Sequence, residues 1–213
     1  MYKNLNPQKA LVWRIVHKDN LLWILQNGLH CANSKTLSPN FVNIGNADLI
    51  DKRRNRLVPI QPGGTLADYV PFYFTPFSVM MMNIHSGRSV VKRRNEEILI
   101  LVSSLRHIQD LRLPFVFTNA HAYPDWTNYY HDLSKLNEID WELLQNRDFR
   151  RDSDDLRKVE RYQAEALVYN HLPVEGLIGV ICYTEEIKKQ IDHQIADLRL
   201  NLAVHVRKGW YFQ

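Results

Sequence analysis

One segment of the chain places an amide and a carboxylate two residues apart, an arrangement that could do chemistry. The segment 161–169 has the sequence RYQAEALVY. In a strand, Gln163 and Glu165 would lie on one face because side chains alternate with a period of two, and the carboxylate would face a cleft. In a helix, Glu165 would be solvated. Composition alone favours the helix, since Ala and Glu are good helix formers.

Two further segments carry side chains suited to flat or charged ligands. Segment 68–77, DYVPFYFTPF, is dense in aromatic residues, which form either a core or a wall on which a planar ring stacks. Segment 80–88, MMMNIHSGR, holds three of the four methionines and precedes three consecutive basic residues. Methionines fill irregular core gaps or form adaptable contact surfaces. Beside cations, they favour a surface for single-stranded nucleic acid, because such surfaces combine soft or flat groups with phosphate-binding charges.

Basic residues are bunched along the chain, although the net charge is only +4 and the isoelectric point about 9.0. Bunching indicates a polyanionic partner, while each cluster alone is also typical of a solvated surface. Five acidic residues are interleaved with the third cluster and could neutralise it locally. The clusters are Lys52, Arg53, Arg54 and Arg56; Lys92, Arg93 and Arg94; and Arg147, Arg150, Arg151, Arg157, Lys158 and Arg161.

Several common kinds of functional site are excluded by their missing motifs. Among the eight glycines there is neither a dinucleotide-binding G-x-G-x-x-G nor a phosphate-binding P-loop. H-E-x-x-H, C-x-x-C and G-x-S-x-G are also missing. The nine histidines are scattered, so no catalytic metal is expected. Cys31 and Cys182 lie far apart, and we expect two buried thiols in a reducing compartment.

The distribution of apolar residues argues against a membrane location. The longest uninterrupted apolar runs have five residues, against the roughly 20 that a transmembrane helix needs. The first nine residues contain Lys3, Asn4, Asn6, Pro7, Gln8 and Lys9, and no apolar block of signal-peptide length follows them. We therefore expect a cytoplasmic protein with no membrane partner.

The elements that must position these residues are short and mixed. The chain of 213 residues is 45% hydrophobic and 23% charged, which is typical of one globular domain, and we expect a single domain over 1–213. An α+β layout is predicted, without the regular strand–helix alternation of a Rossmann fold. Predicted strands span 11–16, 69–75, 98–102, 115–118, 177–183 and 203–206. Predicted helices span 19–28, with Asp19 as the N-cap and Gly28 as the end, 140–145 and 185–198. Segment 48–56 is predicted to be a short helix or a loop, and 59–64 to be irregular.

Several sequence blocks together resemble one known family. The blocks are WRIVHKDNL at 13–21, NGLHC at 27–31, DYVPFYFT at 68–75, NIHSGR at 83–88, PFVFTNAH at 114–121, RYQAEA at 161–166 and GWYF at 209–212. In this order they resemble the DarT-type DNA ADP-ribosyltransferases, the toxins of bacterial toxin–antitoxin pairs. The resemblance covers essentially the whole chain.

The resemblance implies a fold and a reaction. The fold would be that of ADP-ribosyltransferases, a split and strongly bent β-sandwich with peripheral helices, whose central cleft holds NAD without a glycine-rich loop. The enzyme would break the nicotinamide–ribose bond of NAD and join the ribose carbon to N3 of thymine in single-stranded DNA. Such a glycosyl transfer passes through an oxocarbenium-like centre, which a nearby anion stabilises.

The resemblance also implies the residues that carry the reaction. Residues 163–165 would be the family's Q-x-E-like element at the start of a strand, which replaces the helix favoured by composition. The loop before it, about 149–159, would recognise the substrate. Glu165 would stabilise the oxocarbenium-like centre and bind a ribose hydroxyl. Arg53 or Arg54 would be the catalytic arginine, and the alignment leaves both open.

Further residues are implied for binding. Many family members have a histidine, at the position of a ribose clamp, where this chain has Arg14. The residues implied for NAD binding are Arg14, His17, Asn20, Phe72, Tyr73, Phe74 and Gln163, with the three aromatic residues beside nicotinamide. Those implied for nucleic-acid binding are Met82, Arg88 and His121.

The implied partners are single-stranded DNA and a macrodomain antitoxin similar to DarG. Two alternatives stay open at this point. The same chemistry could act on guanine, RNA or protein. Alternatively, the chain could be a single-strand-binding module that has kept the fold and lost turnover.

Overall fold

The computed structural model describes residues 2–36 and 38–213, and within them the chain forms ten strands and seven α-helices. The strands are β1 (Leu11–His17), β2 (Leu29–His30), β3 (Tyr69–Tyr73), β4 (Ile98–Ser104), β5 (Phe115–Thr118), β6 (Tyr129–Tyr130), β7 (Glu165–Tyr169), β8 (His171–Leu172), β9 (Gly179–Cys182) and β10 (Ala203–Val206). The helices are α1 (Leu21–Asn27), α2 (Ala47–Arg54), α3 (Val79–Ser86), α4 (Leu105–Asp110), α5 (Trp141–Asn146), α6 (Lys158–Tyr162) and α7 (Glu185–Asp197). Short 3-10 turns connect several of them.

Eight strands form one sheet in the order β10-β9-β4-β1-β3-β7-β5-β6. Neighbours run antiparallel except β10 and β9, which are parallel. The strands β2 and β8 form a separate two-stranded sheet. This is an α+β arrangement, as the sequence predicts.

The large sheet is split between β1 and β3. Along its whole length β1 pairs with β4, from Leu11↔Ser104 to His17↔Ile98, whereas it meets β3 only at Trp13↔Tyr73. The backbones of the two strands therefore separate beyond that pair and leave a cleft. Arg14 bridges it, because its Nη1 donates a hydrogen bond to the carbonyl oxygen of Pro71 at 2.8 Å.

The hydrophobic core lies against both halves of the sheet. Every residue of β4 is buried, as expected for a central strand with both faces covered. The helix α7 packs on β9 and β10 through Ile187, Ile191 and Ile195, which recur every four residues and so form one helix face. Thr184 caps this helix by accepting a hydrogen bond from the Ile187 N–H at 3.3 Å.

The predicted strands and helices are all present within a few residues of their predicted ends. The helices α3 and α4 and the short strands β2, β6 and β8 were not predicted. The predicted cap of α1 is wrong. Asn20, rather than Asp19, precedes this helix, and Asp19 lies in a 3-10 turn. Both cysteines are buried and free, as predicted.

Segment 161–169 contains both elements that the sequence left open. The helix α6 ends at Tyr162, and β7 begins at Glu165. The helix that composition favours is therefore correct for the first residues of the segment and wrong for the residues from Glu165 onward. There, pairing with β3 and β5 makes the chain a strand. Tertiary context commonly overrides helix propensity in this way.

No helix in the described ranges is long and apolar enough to cross a membrane.

Candidate active site

Glu165 is a buried carboxylate at the floor of a cavity of about 260 Å³. It is the first residue of β7 and only 2% exposed. The cavity opens at the split of the sheet, and its walls come from β1, β3, α2 and the loop that precedes α2. A charged side chain this deeply buried costs much free energy unless partners compensate it.

Three hydrogen bonds compensate the charge of Glu165. Arg53 Nη1 lies 3.2 Å from Oε1 and 3.0 Å from Oε2, and the Ala122 N–H donates to Oε1 at 2.9 Å. Burial alone would raise the pKa of the Glu165 carboxyl, but the positive charge of Arg53, helped by the Ala122 N–H, holds this pKa below its ordinary value. Glu165 is therefore ionised at neutral pH.

The backbone at the start of β7 is fixed by Thr118 of β5. The Glu165 N–H donates to Thr118 Oγ1 at 3.1 Å, and this hydroxyl donates to the Ala120 carbonyl at 2.6 Å. The bond ties the strand to the loop that follows β5. The carboxylate and its Ala122 donor are thus held in one hydrogen-bonded unit.

The orientation of α2 places Arg53 and Arg54 in different surroundings. Asn46 caps this helix by accepting from the Leu49 N–H at 2.9 Å, and the helix buries none of its residues completely. Arg53 faces the cavity with a side chain only 12% exposed. Arg54 is turned by about 100° on the helix, is 52% exposed and pairs with Asp51 at 3.6 Å.

His121 lies beside the carboxylate in the loop after β5. Its Nε2 is 3.8 Å from Glu165 Oε1, and its Nδ1 accepts a hydrogen bond from the Tyr123 N–H at 3.2 Å. In the neutral ring, the proton therefore sits on Nε2 and is directed into the site. Burial lowers the pKa of His121, so the ring is uncharged at neutral pH and acts as a donor.

Arg14 and Tyr73 line the opposite side of the cavity, next to the split in the sheet. Burial lowers the pKa of Arg14 to about 10 and raises the pKa of Tyr73 to about 12, with a further contribution from the charge of Glu165. Both side chains are thus protonated at neutral pH. Tyr73 pairs in register with Glu165 across β3 and β7.

Two buried guanidinium nitrogens at the cavity lack hydrogen-bond partners among the described residues. They are Arg14 Nε and Arg53 Nη2. Buried donors are normally satisfied, so unpartnered donors beside a cavity are available to a ligand bound there. A guanidinium pairs well with phosphate and carbonyl oxygens. The donor set therefore fits NAD, which carries a diphosphate and a carboxamide.

Asn20 also lines the cavity, but its amide is engaged by the protein. It donates to the Val42 carbonyl and accepts from the Val42 N–H, both at 2.8 Å. These bonds fix the loop 41–46, whose residues form much of the cavity wall. Asn20 thus shapes the cavity through this loop.

His17 does not line the cavity. It lies buried at the end of β1, where its Nδ1 accepts from the Asp19 N–H at 3.3 Å and its Nε2 lies 3.7 Å from Glu97. The cavity wall on this strand is formed by residues 14–16.

The structure corrects the expectation for Phe72 and Phe74. Both are buried in the core at 1% and 0% exposure, and Phe74 packs edge-on against Phe117 and Trp141. Side chains alternate along β3, so Tyr73 faces the cavity and its two neighbours face the core.

Gln163 lies outside the cavity as well. It follows α6 as the C-cap residue, and its Nε2 donates to the Val159 carbonyl at 3.1 Å. Gln163 and Glu165 would share one face only if both belonged to the strand. Because β7 begins at Glu165, Gln163 lies before the strand and is not placed beside the carboxylate.

The methionine segment forms α3, which meets the cavity through one residue. Met80 lines it, Met81 is buried in the core, and Met82 is half-buried outside the cavity. Arg88 is exposed beyond Gly87, the left-handed residue that ends the helix. Of the residues expected to bind nucleic acid, only His121 is brought into the cavity.

The cavity wall made by Asn46, Leu49 and Ile50 is not indicated by the sequence blocks. A signal was available, since an asparagine followed by a helical segment is typical of a helix start. The Ala122 N–H is not indicated either, because a backbone donor leaves no signal in the sequence. Ion pairs form among the acids and bases of the segment 140–161, so the predicted local neutralisation is confirmed for Arg150, Lys158 and Arg161 of the third cluster. These pairs are Lys158–Asp148, Lys158–Asp152, Arg150–Asp148, Arg161–Asp155 and Arg161–Asp140.

In the part of the chain that the structure describes, no group of three or more His, Cys, Asp or Glu residues could hold a metal ion.

Comparison with known proteins connects this geometry to a family. Residues 13–212 match the family model described as ssDNA thymidine ADP-ribosyltransferase, DarT. A DNA ADP-ribosyl transferase of Escherichia coli O127:H6 is 60% identical over 210 residues, covering 98% of this chain and 96% of that protein.

Two solved structures share the fold. Thermus sp. 2.9 DarT in complex with ADP-ribosylated ssDNA matches with a TM-score of 0.89 at 31% identity, covering 97% of this chain and 98% of that one. Thermus sp. 2.9 DarT in complex with NAD+ matches with a TM-score of 0.83 at 30% identity, covering 100% of both chains. The predicted ADP-ribosyltransferase fold, with its split sheet and peripheral helices, is thereby confirmed.

Proposed function

Because the chain belongs to the DarT family of ssDNA thymidine ADP-ribosyltransferases, we propose that Glu165 and Arg53 form its reaction centre. The resemblance drawn from the sequence blocks is confirmed, as are the enzyme class and NAD as its substrate. The protein transfers ADP-ribose from NAD to thymidine in single-stranded DNA and releases nicotinamide. The family match thus favours DNA thymidine over the alternative acceptors.

The reaction exchanges one glycosidic bond for another. The bond between the ribose carbon C1″ and the nicotinamide nitrogen breaks, and its electron pair leaves with nicotinamide. Thymine N3 supplies the electron pair of the new C1″–N3 bond and loses its proton to water. One NAD and one thymine give one ADP-ribosylated thymine, one nicotinamide and one proton. The carbon passes through an oxocarbenium-like state, as in glycoside hydrolysis.

Glu165 stabilises this state with its negative charge. An ionised carboxylate has about four acceptor positions, and hydrogen bonds from Arg53 and Ala122 occupy three of them. One position remains for a ribose hydroxyl of NAD. In a site shielded from water, a charge placed before the reaction stabilises the transition state strongly.

Arg53 has two tasks in this proposal. Its Nη1 orients Glu165, and its unpartnered Nη2 donates to thymine and stabilises the negative charge that develops when N3 loses its proton. Arg54 has no part in the reaction, because it pairs with Asp51 on the exposed side of α2.

His121 is proposed to donate a hydrogen bond from Nε2 to the bound substrates. Its Nδ1 is occupied by the Tyr123 N–H, so the ring has no free lone pair with which to take the thymine proton. This supports release of the proton to water rather than to His121.

NAD binding is proposed for Arg14, Tyr73 and Asn20. Arg14 would use its unpartnered Nε on an NAD oxygen, in the place of the ribose-clamp histidine of other members. Tyr73 would stack beside nicotinamide, since its ring is on the cavity face of β3. Asn20 would act through the loop that it fixes.

DNA is proposed to reach the cavity past Met82 and Arg88. Asn46, which caps α2, donates to the Ser89 carbonyl at 3.0 Å, so Arg88 lies close to the helix that borders the cavity. An exposed arginine there would bind phosphate. The target thymine must be unstacked to enter, which favours a single strand.

Three wider features complete the proposal. Residues 1–213 act as one ADP-ribosyltransferase domain, which the continuous core from Leu5 to Tyr211 supports. The protein is a cytoplasmic toxin, which its two free buried thiols support. A macrodomain antitoxin similar to DarG is its partner, as the toxin–antitoxin pairing of the resembled family suggests.

The buried ion pair between Arg53 and Glu165 carries the proposal, and labelled NAD tests it. The protein is incubated with labelled NAD and single-stranded oligonucleotides with or without thymine. We expect the mass gain of one ADP-ribose on thymine-containing strands, lost in Glu165→Ala. Unmodified DNA with the wild-type protein, or full activity in Glu165→Ala, would contradict the proposal.

A further inference from the structure

The loop 119–128, whose His121 lines the cavity, carries an exposed aromatic side chain. Tyr123 is 37% exposed, whereas most aromatic residues of this chain are buried or half-buried. It directly follows Ala122, whose N–H binds Glu165, and its own N–H binds His121. The backbone that carries this ring is therefore fixed beside the proposed reaction centre.

The loop is held in one shape by hydrogen bonds at both ends. Thr127 Oγ1 donates to the His121 carbonyl at 2.7 Å, the Tyr129 hydroxyl donates to the Ala122 carbonyl, and the Asn128 N–H donates to Asn119 Oδ1 at 3.2 Å. Surface loops with small numbers of such bonds are normally mobile. An exposed ring on a fixed loop binds a planar partner with little ordering cost.

Arg56 fastens the tip of the loop to the end of α2. Its Nη2 donates to the Pro124 carbonyl at 3.1 Å, and its Nη1 pairs with Asp125. The pairing also offsets the only carboxylate of the loop 119–128. The surface around Tyr123 is thus less repulsive to a phosphate backbone than the sequence suggests.

A second aromatic ring and an apolar side chain lie near this tip. The Arg157 guanidinium sits 4.7 Å from the ring centre of Trp126, and the neighbouring Leu156 is 82% exposed. Flat groups with a cation beside them are typical of surfaces on which unpaired bases stack. The helix α6 and the loop after β5 meet here, since the His121 N–H donates to the Glu160 carbonyl at 2.7 Å.

We propose that Tyr123 stacks on a base adjacent to the target thymine and so helps to select the sequence around it. The inference rests on the proposed function. When the thymine leaves the stack to reach Glu165, its neighbour loses a stacking partner. The ring of Tyr123 replaces that partner at the cavity edge, while Trp126 and Arg157 extend the surface along the strand.

The experiment combines variants of Tyr123 with abasic sites in the DNA. Oligonucleotides with one thymine and varied neighbours are first ranked by their kcat/KM for ADP-ribosylation. In the best one, an abasic site then replaces the base before or the base after the thymine. Stacking on an aromatic side chain corresponds to roughly 5- to 150-fold per base. We expect one abasic site to lower the wild-type kcat/KM by a factor in this range.

The variants give the decisive comparison. Tyr123→Phe keeps the ring and should match the wild type. On intact DNA, Tyr123→Ala should have a kcat/KM lower than that of the wild type by a similar factor. Its kcat/KM should not fall further when the abasic site is introduced. Tyr2→Ala, which removes a ring of similar exposure elsewhere, should keep the wild-type response. Binding of NAD by each variant reports whether the cavity is intact.

Two results would overturn the inference. One is a wild type that is indifferent to both abasic sites, and the other is Tyr123→Ala with the same abasic response as the wild type. In both cases thymine is still modified, so the proposed function survives. Modification of no oligonucleotide by any protein would remove the proposed function and this inference with it.

Discussion

Arg53 and Glu165 are 112 residues apart in the chain, and the guanidinium of one reaches both carboxylate oxygens of the other, at 3.2 and 3.0 Å. The contact joins α2 to the start of β7 across the cavity. Removing one member of a buried ion pair leaves the other charge uncompensated. Both the chemistry and the shape of the site therefore depend on this pair.

Replacing Arg53 should abolish most of the activity, whereas replacing its neighbour should not. We expect Arg53→Ala to lower kcat for DNA modification about 100-fold or more, because it removes a charged donor from the reaction centre. Arg54→Ala is the matched control and should stay within about threefold, since surface charges contribute little. Equal losses in the two variants, measured with labelled NAD, would contradict the assignment.

The sequence could identify the arginine pair but could not choose between its members. The choice depends on which face of α2 covers the cavity, and this helix has no fully buried residue to mark an inner face.

For Phe72 and Phe74, in contrast, the sequence already held the information that was needed. Strand alternation already implies that three consecutive residues cannot share one face, so only Tyr73 or its two neighbours could reach the cavity.

The ionisation of Glu165 should make stability depend on pH in the acidic range. Its pKa in the folded protein lies below the ordinary value, which is about 4.3 in unfolded chains. The carboxylate thus contributes stability that is fully present above the unfolded pKa and is lost as the pH falls through the folded pKa.

Urea unfolding of the wild type and of Glu165→Gln between pH 7 and pH 3 measures this contribution. The difference in unfolding free energy between the two proteins should be constant from pH 7 to about pH 5. Below that, the wild type should lose stability relative to the variant. A difference that stays constant down to pH 3 would show that folding leaves this pKa unchanged and would contradict the prediction.

Arg14 and Arg88 should separate the binding of the two substrates. Arg14 lines the cavity with an unpartnered Nε, so Arg14→Ala should weaken NAD binding about tenfold and DNA binding much less. Arg88 is exposed outside the cavity, so Arg88→Ala should weaken DNA binding and reduce its salt dependence. Calorimetric titration with each ligand checks both. Equal losses of NAD affinity and DNA affinity in Arg88→Ala would contradict the assignment of Arg88 to DNA binding alone.

Gly28 should be required for folding. Its φ is +76°, and a Cβ at this position would lie 2.4 Å from the Leu172 carbonyl oxygen and 2.5 Å from His171 Nε2. We expect Gly28→Ala to lower the free energy of unfolding by about 2 kcal/mol or more. Gly209→Ala, where a Cβ meets nothing within 4 Å, is the control. Equal stability of the two variants in urea would contradict the described turn after α1.

The sequence blocks implied Glu165 correctly as the carboxylate of a cleft, yet they could not reveal what holds it there. The Ala122 N–H is a backbone donor that any residue could provide, and its position depends on the fold of the loop after β5. The Thr118 hydroxyl that fixes Glu165 comes from a strand that sequence pattern predicts only as buried. Long-range pairing of this kind is set by the assembled sheet.

The most direct measurement compares the rate of ADP-ribose transfer to a thymine-containing single strand by the wild type, Glu165→Gln and the exposed control Glu142→Gln. The amide keeps the shape of the side chain and removes its charge. A loss of about 100-fold or more in Glu165→Gln, with Glu142→Gln unchanged, is the result expected if the carboxylate stabilises the ribose centre. Transfer by Glu165→Gln at the wild-type rate would contradict it.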